Sequence, residues 1–84
     1  MRETARSLEA RCNALLDRMI QQQREKVLKL AREVLPKLSS EDVLNPHDYP
    51  ELKAHPTFEF EDGLLSGLIS AQIALRAELR QTEP

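Results

Sequence analysis

The chain has 84 residues, a mass of 9.6 kDa, and twelve Lys and Arg against fourteen Asp and Glu for a net charge of −2, which limits it to one small domain and excludes a multidomain enzyme. With 40% hydrophobic and 31% charged residues it is too apolar for a disordered tail, yet a chain this short buries only about 60% of its unfolded surface unaided. Its single cysteine, Cys12, excludes an internal disulfide framework and a cysteine zinc cage, so cohesion has to come from packing and from partners.

The first residues, Met1 to Arg6, lack the apolar core of a secretory signal. The longest uncharged stretch, Gly63 to Leu75, has 13 residues, short of the 18 or so that a membrane span needs. The expected location is therefore cytoplasmic or nuclear. The charge is unevenly placed: residues 1–38 carry nine Lys and Arg and five Asp and Glu, whereas residues 39–84 carry three and nine. Opposite halves should attract one another.

From Thr4 to Leu35 there is neither Gly nor Pro, and apolar residues recur at three- and four-residue steps, the spacing of a long amphipathic helix. One seam, Leu8, Cys12, Leu15 and Met19, drifts into a second, Leu16, Ile20, Gln23, Val27, Leu30 and Val34, as a 3.6-residue turn does against a pattern closer to 3.5. Gln21, Gln22 and Gln23 interrupt the stripe. The simpler reading is a solvent-facing polar turn; the alternative has Gln23 restricting the pairing register. Pro36 ends or kinks this helix near Val34 or Leu35.

The next segment restarts at once. Ser39 is an N-cap with Asp42 at its N3 position, and Leu38 can touch Val43, so a short helical turn should run from about 40 to 45, where Pro46 stops it. Residues 46–57 then hold Pro46, Pro50 and Pro56, both histidines and the single tyrosine. This reads as an ordered connector, anchored by Tyr49 and Leu52 and by Phe58 and Phe60 just beyond it.

A final helix should span about 58–80, with Thr57 as its cap, Glu59, Glu61 and Asp62 in its first turns and Arg76 and Arg80 near its end, an order that complements the helix dipole. Its middle carries Leu64, Leu65, Leu68, Ile69, Ile73 and Leu75 around most of the circumference, the pattern of a helix covered on several sides. Gly63, Gly67 and Ala71 follow four-residue steps and form a small-residue face on which another backbone could pack closely.

The expected fold is all-α: an antiparallel helical hairpin completed as a dimeric four-helix bundle. The two helices, about 48 Å and 30 Å long, would leave about a third of the first without an intramolecular partner, at the Leu8, Cys12, Leu15, Met19 seam. Leaving four or five leucines in water forgoes about 1.5–3 kcal/mol each, comparable to the whole stability of a small domain. The predicted partner interface is therefore Leu8, Cys12, Leu15, Met19, Leu64, Leu65, Leu68, Ile69, Ile73 and Leu75, with a second copy or another helical protein as partner.

Residues with catalytic chemistry do not assemble into a constellation. Cys12 lies on an apolar seam away from any helix N-terminus and reads as a small hydrophobe. His47, Asp48, Glu51 and His55 are the one cluster of metal-ligand types, but their spacing does not match a two-ligand helical face, and no metal or other cofactor is expected. Capping or surface histidines are the simpler reading, with a small metal-binding or regulatory protein as a further alternative. Nucleic-acid binding through the nine cations between Arg2 and Lys37 is the alternative of a different class; interleaved acids, a pI near 5.7 and the lack of aromatics among the cations count against it. Ser39 and Ser40, followed by Glu41 and Asp42, also form a short acid-directed phosphorylation sequence. The functional expectation is a non-enzymatic helical interaction or oligomerisation module.

Overall fold

A computed structural model describes residues 4–81. They form four α-helices, α1 (Ala5–Val34), α2 (Ser40–Val43), α3 (Pro50–Lys53) and α4 (Pro56–Gln81), with a 3₁₀ turn at Pro46–Asp48 and no strand among the described residues. The expectation of an all-α helical hairpin holds at this level. The long helices α1 and α4 run antiparallel, and the short elements fold across one end of the pair.

Local chemistry sets each boundary. The Thr4 hydroxyl accepts a hydrogen bond from the Ser7 amide and opens α1. At its far end the Leu35 amide still bonds the Ala31 carbonyl, and Pro36, which cannot continue the helix, follows. The Arg32 guanidinium reaches over the break and donates to the Leu38 carbonyl at 2.8 Å. Ser39 and Asp42 then form a reciprocal capping box, each side chain accepting from the other's amide. Leu38 and Val43, on either side of it, are both buried.

The final helix begins earlier than the sequence predicts. Pro56 is its first residue, where a missing amide hydrogen costs nothing. The cap is His55, not Thr57: the His55 carbonyl accepts from the Glu59 amide, and the imidazole Nδ1 accepts from the Phe58 amide at 3.1 Å. With 26 residues α4 is about 39 Å long against about 45 Å for α1, so the predicted overhang of one third is absent. Gln72 and Arg76 bond Asp17 and Asn13, pairing the helices far along α1.

The buried apolar residues are Ile20, Val27 and Ala31 of α1, Phe58 and Leu65 of α4, and Leu38, Val43 and Leu52 of the crossing segment. Leu52 and Phe58 anchor that segment, and half-buried Tyr49 packs against the same cluster. All of this core lies between α1 residue 20 and the connector, at the closed end. In the distal half, the Gln72 side chain is buried where a core residue would be expected. The molecule measures 50 × 24 × 20 Å and has a radius of gyration of 16.3 Å, where a compact chain of this length has about 12 Å.

Candidate docking face

Helical phase sorts the apolar residues of each long helix into an inner and an outer row. On α1 the row Leu16, Ile20, Gln23, Val27 and Ala31 faces α4. Leu8, Cys12, Leu15 and Met19, at steps of four, three and four, form a second row about a quarter-turn away. Leu8 is 53% exposed, Leu15 49% and Met19 40%, with Cys12 half-buried. Their exposure therefore comes from phase and not from overhang.

On α4 the inner row is Phe58, Glu61, Leu65 and Gln72, and the outer row is Leu64, Leu68, Ala71 and Leu75. Leu64 is 45% exposed, while Leu68 and Leu75 are half-buried. The ion pair between Lys26 Nζ and Glu61 Oε1, 3.0 Å, fixes which edges meet. Lys26 lies one heptad beyond Met19 in its row, and Glu61 lies three and seven residues before Leu64 and Leu68. The outer rows of α1 and α4 thus flank the same edge of the interface; Leu8, Cys12, Leu15, Met19 and Leu75 lie along the distal half, and Leu68 and Leu64 continue the edge beside the closed-end core.

The opposite edge carries different residues. There a groove of about 540 Å³ runs between α1, the connector and α4, lined among others by Arg24, Leu28, Leu44, His47, Asp62 and Ile69. Ile73, 61% exposed, falls on this side by phase. Of the predicted interface, Leu65 is spent in the protomer's own core, and Ile69 and Ile73 lie on or toward the groove edge. Leu8, Cys12, Leu15, Met19, Leu64, Leu68 and Leu75 come together on one face. Phe60 is no connector anchor: it is 65% exposed at the end of the α4 outer row, because its phase directs it away from Phe58. Gly63, Gly67 and Ala71 are exposed, and a Cβ built on either glycine meets nothing within 4 Å. Among the described residues nothing packs closely on Gly63 or Gly67.

Polar side chains hold the interface between the long helices. Gln23 Nε2 donates to Glu61 Oε2 at 2.6 Å and to the Glu61 carbonyl at 2.8 Å. Gln23 is thus a half-buried residue that bonds across to α4, not part of a solvent-facing turn. Its hydrogen bond, together with that of Lys26, holds the Glu61 carboxyl below its ordinary pKa. Further out, Gln72 donates to Asp17 at 2.7 Å, and Arg76 donates to Asn13 at 3.1 Å and pairs with Asp17 at 3.5 Å. Sequence reasoning missed these partners; the signal was Gln23 and Gln72 standing at core positions of otherwise apolar stripes.

The connector's polar groups make local contacts. Two backbone and side-chain bonds from Ser39 push the Asp42 carboxyl down, whereas burial and the neighbouring Asp42 charge push the Tyr49 hydroxyl up. Burial and Glu59 push the Asp62 carboxyl up. His55 is committed to capping α4, and His47 lines the groove. Among the described residues no three His, Cys, Asp or Glu side chains converge as a metal-binding set, and no helix is long and apolar enough to cross a membrane. No protein-family model matches the sequence, and no curated protein or solved structure is similar to it.

Proposed function

We propose that this chain is a non-enzymatic helical interaction module whose distal face is covered by further helices, closing a four-helix bundle. The observation that carries the reading is the row pair on one edge of the hairpin, with Leu8, Leu15, Met19 and Leu64 exposed and Cys12, Leu68 and Leu75 half-buried, which extends beyond the protomer's own core into the distal half. Apolar surface gathered in one place marks a protein-binding site, and the helix pair presents it as two parallel ridges suited to helical partners. The covering helices come either from another copy, giving a homodimer, or from a larger assembly in which the chain is a small subunit or adaptor. The same residues serve both.

The test is whether the face is sticky and whether that property belongs to these side chains. The full chain is expected to associate, or to bind an apolar fluorescent dye, and Leu15→Asp and Leu68→Asp are each expected to remain helical and to lose that behaviour. Unchanged association and dye binding in both variants would place the interface elsewhere and end this reading.

A further inference from the structure

Resting on that reading, we infer that the covering layer is a second copy of this chain, related by a two-fold axis parallel to the helices, so that α1 of each protomer lies antiparallel over α4 of its partner.

The exposed surface is large enough for a stable interface with a second copy. The chain exposes 6464 Å², whereas a compact monomer of this mass exposes about 5,100 Å². The excess, about 1,400 Å², is more than the 800 Å² or so that each partner contributes to a stable interface. The elongated shape gives the same answer, since laying two 20 Å layers face to face produces a more equant particle.

Charge selects between the two symmetric ways of stacking the layers. Within its helical span α1 carries seven Lys and Arg and four Asp and Glu, and α4 carries two and four. An axis perpendicular to the helices would stack α1 on α1 and α4 on α4, like on like. An axis parallel to them stacks the basic helix on the acidic one.

That same axis preserves height along the bundle, and at equal heights the side chains are complementary. The Asp17–Gln72 bond makes those residues level. Two residues onward on α1 and one residue back on α4, Met19 and Ala71 are level to about 1.5 Å. By the same step Leu15 lies beside Leu75. A large side chain thus meets a small one, and leucine meets leucine, across the two-fold interface.

The experiment is disulfide trapping in the full chain with Cys12→Ser. Within one protomer positions 19 and 71 project from different helices whose axes lie about 8–10 Å apart, off the same face, too far for a disulfide. Met19→Cys with Ala71→Cys is expected to give a species of twice the chain mass under mild oxidation, whereas Met19→Cys alone stays at single mass. A double-mass species from Met19→Cys alone means α1 stacks on α1 and overturns the arrangement. So does a dimer by sedimentation that neither variant traps. If the wild-type chain sediments as a folded monomer across micromolar concentrations yet binds apolar dye through Leu15 and Leu68, the second copy is wrong and the docking face stands. A folded monomer that binds no dye overturns both.

Discussion

Gln23 and Glu61, thirty-eight residues apart, bind each other twice: the amide nitrogen of one donates both to the carboxylate and to the backbone carbonyl of the other. Gln23 lies in a row that is otherwise apolar and Glu61 in one shared with Phe58, Leu65 and Gln72, and Lys26 completes the pair from the rim. Gln23→Glu sets a second carboxylate against Glu61 and is expected to lower the melting temperature at neutral pH by more than Gln23→Ala does. The difference should shrink on acidification, and thermal melts across a pH series will read it.

The wild-type pH profile has a defined sign. Glu61 and Asp42 are both shifted below their usual values of 4.5 and 3.8, so their contributions are complete above those values and are lost as pH falls through the lowered ones. Asp62 is shifted upward by burial and by Glu59. Its ionised form is therefore penalised in the fold, and the penalty lifts as pH falls through the raised value. Asp62→Asn is expected to stabilise the protein at neutral pH and to converge with wild type in acid, as measured by urea unfolding.

Capping by an imidazole gives α4 a test of its own. His55→Ala removes the acceptor for the Phe58 amide and is expected to cost about 1 kcal/mol. His55→Asp, which supplies a carboxylate to the same amide and to the helix dipole, should recover the loss in denaturant titrations.

Both glycines of α4 sit in open helical positions. Since a Cβ at Gly63 or Gly67 meets nothing within 4 Å, Gly63→Ala and Gly67→Ala are each expected to stabilise the protomer by about 0.5–1 kcal/mol. In a domain of this size that raises the melting temperature by a few degrees.

Truncations should divide the hairpin into two regions. Phe58→Ala, at a fully buried site of the closed end, is expected to cost about 3–5 kcal/mol. Leu15→Ala, on the exposed distal row, should change folding stability by under about 0.5 kcal/mol when measured at dilutions where no partner is bound. Comparing the two by chemical denaturation separates side chains that hold the protomer from those that await a partner.

Periodicity and caps made much of this fold legible. The apolar spacing of Ile20, Val27 and Ala31, the stop at Pro36 and the Ser39–Asp42 box are local signals, and the structure contains each of them. The sequence leaves capping open to the histidines but points to Thr57 as the cap of α4, because imidazole stands outside the usual Ser, Thr, Asp and Asn set, and that hid the true start of the helix. Gln23 and Gln72 were not legible as groups that bond between the long helices because their partners, Glu61 and Asp17, are remote in sequence. The greasy run from Leu64 to Leu75 gave apolar residues without saying which edge each one faces; only the phase fixed by Lys26–Glu61 divides Leu68 and Leu75 from Ile69 and Ile73.

The polar ties between α1 and α4, among them Gln23–Glu61, Asp17–Gln72 and Asn13–Arg76, work as a vernier. Sliding one helix by a single turn, about 5.4 Å, would carry every tie out of reach at once and leave a buried carboxylate opposite hydrocarbon. Leucine stripes by themselves tolerate such slippage; this hairpin does not. A partner that grips its free end therefore meets α1 and α4 in one fixed register.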